Sequence, residues 1–289
     1  MPGHPSFSLV LGGGGVTGIA WLTGVMAGLV RAGWRLPGQT RFVGTSAGSV
    51  VAAELSNGVP AEELLARQLM PPQTRGEQYR PYSQREADAK NVVLVNKTGG
   101  DLRAARQRIG AFALRSETPD LATRREIIQS RLSMPEWPDA SLLLTAVDVV
   151  TGERVVLQRA SGLTLLDAVM ASCAVPGVWP VVPFDDRGLM DGGLHSMTNS
   201  DLALGSTHAL ILAPLGYSEG NPVSGHLRSE EAALRATGMD VHVIVPDEQS
   251  QEAIGDNVLD PSRIEESAHA GLRQSEREFR RIGRMCSSV

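Results

Sequence analysis

A serine pentapeptide placed directly after a strand-like run constrains this chain more than any other feature. Residues 44–48, GTSAG, follow the run Arg41-Phe42-Val43 and open a helix-like stretch that continues to Leu55. A serine in so sharp a strand-to-helix turn is pushed out of the backbone, and a Cβ at either flanking glycine would clash there. The pattern therefore predicts an α/β fold in which Ser46 is a nucleophile.

A block of four glycines lies about thirty residues upstream, between an apolar strand-like run (residues 8–11) and a helix-like stretch (residues 16–30). Bare backbone N–H groups in such a loop can point at one place, which is what a developing oxyanion requires. The predicted oxyanion donors are Gly13, Gly14 and Gly15.

A carboxylate far downstream completes the set. Residues 185–188, DDRG, read as a tight turn, and a short strand then leads into Asp191-Gly192-Gly193. A carboxylate at a strand end, followed by two glycines, can approach a serine without obstruction from side chains. His195 is the best competing base, but no histidine has surroundings typical of a catalytic triad. Asp191 is therefore the predicted base.

These motifs resemble the patatin-like phospholipase family, which uses a Ser–Asp dyad. The stretch of residues 171–180, ASCAVPGVWP, is similar to the family's A-S-x-A-x-P block upstream of the aspartate. The resemblance covers roughly residues 6–215. It implies a three-layer α/β/α sandwich with a mostly parallel central sheet, in which Ser46 is the nucleophile, Asp191 the base and the loop Gly13, Gly14 and Gly15 the oxyanion hole.

One position departs from the resemblance. The family's glycine loop usually carries arginine or lysine before its last glycine, and Thr17 stands there in this chain. Backbone donors do not depend on that side chain, so the oxyanion function can survive. The departure leaves open what role Thr17 has and whether a cation holds the loop or a charged head group.

Composition narrows the function classes. The net charge of −5 and the pI near 5.7 argue against a nucleic-acid surface. Cys173 and Cys286 are too few for a disulfide framework and wrongly spaced for a metal site, which favours a reduced, cytoplasmic setting. The uncharged stretch of residues 7–30 is interrupted by four glycines, so we interpret it as neither a membrane span nor a signal peptide. No metal or cofactor is expected.

The chain is expected to form a single domain over residues 1–289, because no Pro/Ser-rich linker divides it. Residues 73–100 read as irregular. Residues 71–132, rich in arginine and poor in strands, form a candidate lid or substrate-binding helical insertion, and equally an ordinary surface layer. We expect this stretch to touch lipid or a membrane surface transiently.

The remaining periodicity predicts further helices and strands around this insertion. Helices are predicted over residues 61–67, 102–114, 121–132, 163–175 and 261–283, strands over 141–148, 209–213 and 241–245, and a hairpin strand over 154–157.

The predicted function is that of a serine acyl hydrolase of the phospholipase A or lipid esterase type. Two alternatives stay open. Gly13, Gly15 and Gly18 match the dinucleotide-binding fingerprint, yet no acidic residue precedes Glu54 to hold a ribose. A non-catalytic member of the fold, acting through partners, is the other. The substrate is expected to be a lipid or another acyl ester, and the sequence does not give the oligomeric state.

Overall fold

The computed structural model describes residues 6–71 and 76–282, and its centre is one mixed sheet of eight strands. The sheet order is β5-β6-β3-β2-β1-β7-β8, with β4 also paired to β3. The strands are β1 (Phe7–Leu11), β2 (Thr40–Thr45), β3 (Ser141–Asp148), β4 (Arg154–Leu157), β5 (Val182–Phe184), β6 (Arg187–Asp191), β7 (His208–Leu212) and β8 (Asp240–Ile244).

The middle of this sheet is parallel. β1 pairs in parallel with β2 and β7, and the parallel pairs β2–β3 and β7–β8 extend it on both sides. β4 and β6 run antiparallel to β3, and β5 runs antiparallel to β6. Parallel strands are buried on both faces, which explains why β1 reads as a continuous apolar run. The predicted mostly parallel sheet flanked by helices is confirmed.

Ten α-helices cover this sheet within the described residues. They are α1 (Gly15–Arg31), α2 (Ala47–Ser56), α3 (Ala61–Gln68), α4 (Gln84–Lys97), α5 (Leu102–Arg115), α6 (Leu121–Gln129), α7 (Leu165–Ser172), α8 (Leu227–Ala236), α9 (Glu248–Ile254) and α10 (Ile264–Ile282).

The two faces of the sheet carry separate cores. Leu9 and Leu11 of β1 belong to the larger core, which includes side chains of α1, α2, α3, α7 and α10. Val10, on the opposite face, belongs to a smaller core with Leu227 and Leu234 of α8. Alternate residues of one strand therefore serve two layers of helices, as the predicted sandwich requires.

Helices α1 and α10 approach each other closely through glycines. A Cβ on Gly24 would lie 2.1 Å from the carbonyl oxygen of Ala268, and one on Gly271 would lie 2.3 Å from that of Trp21. Small residues at these crossings let the two backbones touch. The buried helix α1 is thereby fixed, with its first residue directly at the glycine loop.

The prediction that residues 73–100 are irregular is wrong for half of that stretch, because α4 occupies Gln84–Lys97. Only Val95 of this helix is buried, so there is little apolar periodicity for a sequence pattern to detect. The helix begins at a local signal instead, since the Ser83 hydroxyl accepts a hydrogen bond from the Glu86 N–H at 3.1 Å. Residues 72–75 lie outside the described residues.

Other boundaries shift by a few residues. Helix α7 begins at Leu165, later than predicted, and ends at Ser172, earlier than predicted. Strand β5 has no counterpart among the predicted strands. Pro261 lies in a short 3-10 helix before α10, and Gly283 lies outside the described residues. No helix in the described part of the chain is long and apolar enough to cross a membrane.

Candidate active site

Strand register brings Ser46 and Asp191 to the same place. Thr45, the last residue of β2, pairs with Thr145 of β3. The next residue of β3, Ala146, pairs with Asp191, the last residue of β6. Ser46 and Asp191 therefore leave the sheet on either side of β3, 145 positions apart in sequence and adjacent in space.

The turn around Ser46 is sharp, and the flanking glycines make it feasible. Ser46 has φ 50° and ψ −117°, a conformation that costs a non-glycine residue about 1–3 kcal/mol. A Cβ on Gly44 would lie 2.6 Å from the Cα of Ser49, and one on Gly48 would lie 1.8 Å from the Leu11 carbonyl oxygen. Neither backbone atom can yield, so both positions require glycine.

The Ser46 hydroxyl donates a hydrogen bond of 2.7 Å to Oδ2 of Asp191. The other carboxylate oxygen, Oδ1, accepts one from the Gly193 N–H at 2.8 Å. Both side chains are buried. The carboxylate is thus held in one orientation with an oxygen aimed at the serine.

Burial raises the proton affinity of the Asp191 carboxyl group. Loss of solvent raises the pKa of Asp191 to about 6, although the Gly193 N–H, the Ser46 hydroxyl and the positive charge of Arg124 all oppose the rise. A carboxylate with a pKa near 6 accepts a proton more readily than an ordinary aspartate and is still ionised at neutral pH. Such a group can act as a general base.

The glycine loop offers fewer free donors than predicted. The Gly13 N–H donates to the Met197 carbonyl oxygen at 2.8 Å, so it is engaged within the fold. No described residue accepts a hydrogen bond from the N–H groups of Gly14, Gly15 or Ala47. Of the predicted oxyanion donors, Gly14 and Gly15 therefore keep free N–H groups, and Ala47 offers a further one. Gly13 packs close to the Ser46 side chain.

Two residues of the 171–180 stretch support the nucleophile, although no individual role was predicted for them. The Ser172 hydroxyl accepts a hydrogen bond from the Ser46 N–H at 2.9 Å. The Cys173 thiol donates to the Ser46 carbonyl oxygen at 3.2 Å. Cys173 is buried, and it caps the end of α7 instead of lying within the helix predicted over residues 163–175.

A buried polar network lies behind the dyad. The side-chain amide of Asn199 donates to the Ser196 carbonyl oxygen at 2.6 Å and to Oγ1 of Thr45 at 3.0 Å, with a longer contact to Gly192 O at 3.3 Å. Because Thr45 precedes Ser46 and Gly192 follows Asp191, this one amide ties both strand ends together. No motif in the sequence marked Asn199.

His195 does not join the dyad. Its Nδ1 lies 3.1 Å from Oδ1 of Asn199, and the structure gives it no hydrogen bond to Ser46 or Asp191. Burial, with the nearby charges of Arg154 and Arg106, lowers its pKa. A neutral imidazole tied to an amide has the character of a structural group.

Thr17 is fully buried, and its hydroxyl and N–H both donate to the carbonyl oxygen of Val258, at 3.4 and 3.2 Å. This position therefore anchors the glycine loop to a neighbouring segment. A cation does reach the site from elsewhere, since Arg124 of α6 borders a small cavity beside Ser46.

Space for a substrate opens on the other side of the dyad. A cavity of about 70 Å³ is bordered by Ser46, Asp191 and the glycine loop. Tyr82, Val175 and Pro176 line both this cavity and a groove of about 910 Å³ that runs between α4 and α5. The groove wall is mainly apolar, so it suits a hydrocarbon chain.

No cluster of three or more histidine, cysteine, aspartate or glutamate side chains able to hold a metal ion occurs in residues 6–71 and 76–282. The fingerprint glycines, Gly13, Gly15 and Gly18, lie in the loop and first turn of α1. The following strand β2 ends at Thr45 and passes to Ser46 instead of to an acidic residue.

Comparisons with solved structures give remote likenesses. VipD from Legionella pneumophila is 11% identical with a TM-score of 0.44, over 96% of this chain and 67% of that one. The type III effector protein ExoU is 17% identical with a TM-score of 0.43, over 97% of this chain and 53% of that one.

Comparison by sequence is more decisive. No curated protein matches the chain significantly. The family model described as patatin-like phospholipase matches residues 9–204, which contain the glycine loop, Ser46 and Asp191. That span is more than half of the chain and agrees with the resemblance drawn from the motifs. The chain belongs to the patatin-like phospholipase family.

Proposed function

We propose that this protein is a serine acyl hydrolase that cleaves carboxylic esters of lipids through Ser46 and Asp191. The observation that carries the proposal is the 2.7 Å hydrogen bond from the Ser46 hydroxyl to a buried carboxylate. Burial raises the pKa of that carboxyl to about 6, which suits it to take the serine proton. Family membership supports the same reaction class.

The reaction proceeds in two halves. Ser46 Oγ attacks the ester carbonyl carbon while its proton passes to Asp191. The free N–H groups of Gly14, Gly15 and Ala47 then stabilise the resulting oxyanion. Collapse expels the alcohol, which takes the proton, and leaves an acyl group on Ser46. Water then attacks this acyl-enzyme with Asp191 again as the base, and the acid departs.

The adjoining groove supports an acyl chain as the group bound. Val93, Leu94 and Phe112 contribute apolar surface to its wall, and the groove shares its inner end with the cavity at Ser46. Burial of each methylene of a chain there contributes roughly 0.8 kcal/mol. A lipid or long-chain ester is therefore the proposed substrate, with residues 71–132 as the segment that covers it.

A serine-directed fluorophosphonate and a series of acyl esters test the proposal. Wild-type protein should label once, hydrolyse the esters and favour longer chains. Ser46→Ala should abolish both labelling and turnover, a loss on the order of a millionfold, while circular dichroism and the melting temperature stay close to wild type. Ser49→Ala, one turn along α2, is a neighbouring serine control that should still label.

Two results would contradict the proposal. Labelling that persists in Ser46→Ala would place the nucleophile elsewhere. An inactive wild type that never labels would favour a non-catalytic member of the family that acts through partners. A preference for short acyl chains would leave the dyad intact and replace the lipid with a small soluble ester.

A further inference from the structure

Arg124 of α6 is a buried cation whose charge has no partner. It is 2% exposed, and it forms no ion pair with any residue in the described part of the chain. Its Nη2 donates to the Cys173 carbonyl oxygen at 3.2 Å, whereas Nε and Nη1 have no hydrogen-bond partner. Buried polar groups are nearly always paired, so this exception requires a reason.

A nearby arginine shows what a paired guanidinium looks like in this protein. Arg131 donates to both carboxylate oxygens of Glu77, at 2.7 and 2.6 Å. Arg124 instead stacks on the ring of Trp179, with its guanidinium carbon 3.9 Å from the ring centre. The ring fixes the position of the cation but cannot satisfy its N–H groups.

The position of Arg124 indicates what it serves. A cavity of about 20 Å³ is bordered by Arg124, Ser46, Gly15 and Ala47. This space is about that of one water-sized sphere, too small for a phosphate group but sufficient for a single oxygen atom. Gly15 and Ala47, whose N–H groups are unengaged, both border it.

The charge on Arg124 is maintained at neutral pH. Burial and the nearby charge of Arg131 lower its pKa to about 9, although Cys173, Glu77 and Asp191 act in the opposite direction. The guanidinium therefore stays protonated at pH 7. Thr17 supplies no charge to this cavity, because its hydroxyl is neutral, and that hydroxyl donates to the Val258 carbonyl oxygen.

We propose that Arg124 is a catalytic residue that stabilises the negative charge on the tetrahedral intermediate formed at Ser46. The inference rests on the proposed function. When the bond from Ser46 Oγ to the carbonyl carbon forms, the serine proton moves to Asp191 and the carbonyl π pair moves onto oxygen. That oxygen gains a full negative charge, and Arg124 with the amides of Gly15 and Ala47 surrounds it.

This charge exists in the intermediate and not in the neutral ester, so Arg124 acts on turnover more than on binding. Arg124→Gln should lower kcat about 100-fold or more on a neutral nitrophenyl ester, with KM nearly unchanged. The same fold loss is expected on a zwitterionic and on an anionic phospholipid. Arg80→Gln is the matched control, because Arg80 also stacks on Trp179 but does not border the cavity, and its kcat should stay within about threefold of wild type.

Arg124→Lys provides a second readout if the glutamine variant folds poorly. A lysine keeps the charge but titrates, and burial lowers its pKa from about 10.4. The lysine variant should therefore lose activity at a lower alkaline pH than wild type, in which the pKa of Arg124 is about 9. A merely structural arginine would give no such shift in the pH profile.

The possible results distinguish a failure of the Arg124 inference from a failure of the proposed function. Unchanged kcat in Arg124→Gln, or a lysine variant without the shift in alkaline loss, overturns the inference. A loss confined to KM for anionic phospholipid also overturns it and makes Arg124 a head-group site. A wild type that neither labels at Ser46 nor hydrolyses any ester refutes the proposed function itself, before Arg124 is tested.

Discussion

Two regions meet at Ser46 and are built differently. The strand-end loops after β1, β2 and β6 are buried, and backbone contacts fix them, as the close approach of Gly48 to Leu11 illustrates. The helical segment of residues 76–132 lies largely at the surface, and its helix α4 buries only Val95. One region holds the nucleophile and its base, and the other supplies Arg124 and most of the groove.

A reaction centre and a substrate-binding surface are therefore subject to different structural constraints. Bond-making atoms must be placed within a fraction of an ångström, which a strand end and a glycine turn provide. A surface for an apolar chain needs shape and hydrophobicity, and exposed helices with side chains such as Phe112 provide both. Substitutions in the first region should therefore change rate steeply, and those in the second, apart from Arg124, should change substrate preference.

The largest effect within the strand-end loops is expected from Asp191→Asn. The amide cannot accept the Ser46 proton, so turnover should fall at least about ten-thousandfold. His195→Ala should retain most activity, because that ring contacts Asn199 and not the dyad. Steady-state hydrolysis of one soluble ester measures both variants. A dead His195→Ala beside an active Asp191→Asn would replace the dyad with a triad.

The pH profile of wild type gives the next largest effect. Because burial raises the pKa of Asp191 to about 6, kcat/KM should fall roughly tenfold per pH unit as pH drops below 6. Above that pKa the carboxylate is ionised, and the rate should be level until the pH approaches the Arg124 pKa of about 9. A rate that persists to pH 4 would show that the base titrates as an ordinary aspartate.

The same pKa shift has a consequence for stability. The native state binds the Asp191 proton more tightly than the unfolded chain, whose reference value is 3.8. The resulting stabilisation is complete below 3.8 and is lost as pH rises to about 6, a change of roughly 3 kcal/mol. The melting temperature of Asp191→Asn relative to wild type should therefore rise between pH 4 and pH 7.

The sequence predicted the strand-end region in detail because its constraints are local. One turn contains Gly44, Ser46 and Gly48, and two glycines follow Asp191 directly. Arg124 and Asn199 reach the dyad only through tertiary packing, and no short pattern records such contacts. Ser172 stands in the A-S-x-A-x-P block, but the block does not show that its hydroxyl binds the Ser46 N–H. Helix α4 was not predicted because its side chains lie mostly in solvent, where no apolar stripe is required.

The helical segment should respond to lipid surfaces. Leu114 on α5 is 58% exposed and lies outside the groove lining, and Leu204 is 50% exposed in a loop before β7. If residues 71–132 touch lipid, Leu114→Ser should lower hydrolysis of an ester severalfold above its aggregation threshold and leave the monomeric rate unchanged. Leu204→Ser is the matched control. Equal rates for both variants, with or without anionic vesicles, would indicate a water-soluble esterase.

The smallest effect concerns the start of α4. The Ser83 hydroxyl accepts from the Glu86 N–H and donates to Asp256 at 2.6 Å, so it both caps the helix and ties it to a neighbouring loop. Ser83→Ala should destabilise this helix by about 1 kcal/mol and speed amide exchange in its first turn.

Ser116→Ala is the control for this cap, because that hydroxyl only donates to the Phe112 carbonyl oxygen behind it. Its amide exchange should match wild type. If Ser83→Ala also left exchange in α4 unchanged while activity on long-chain esters fell, the helix would be held by its groove contacts and not by its cap. The segment would then be as strictly positioned as the strand-end loops, and the contrast between the two regions would disappear.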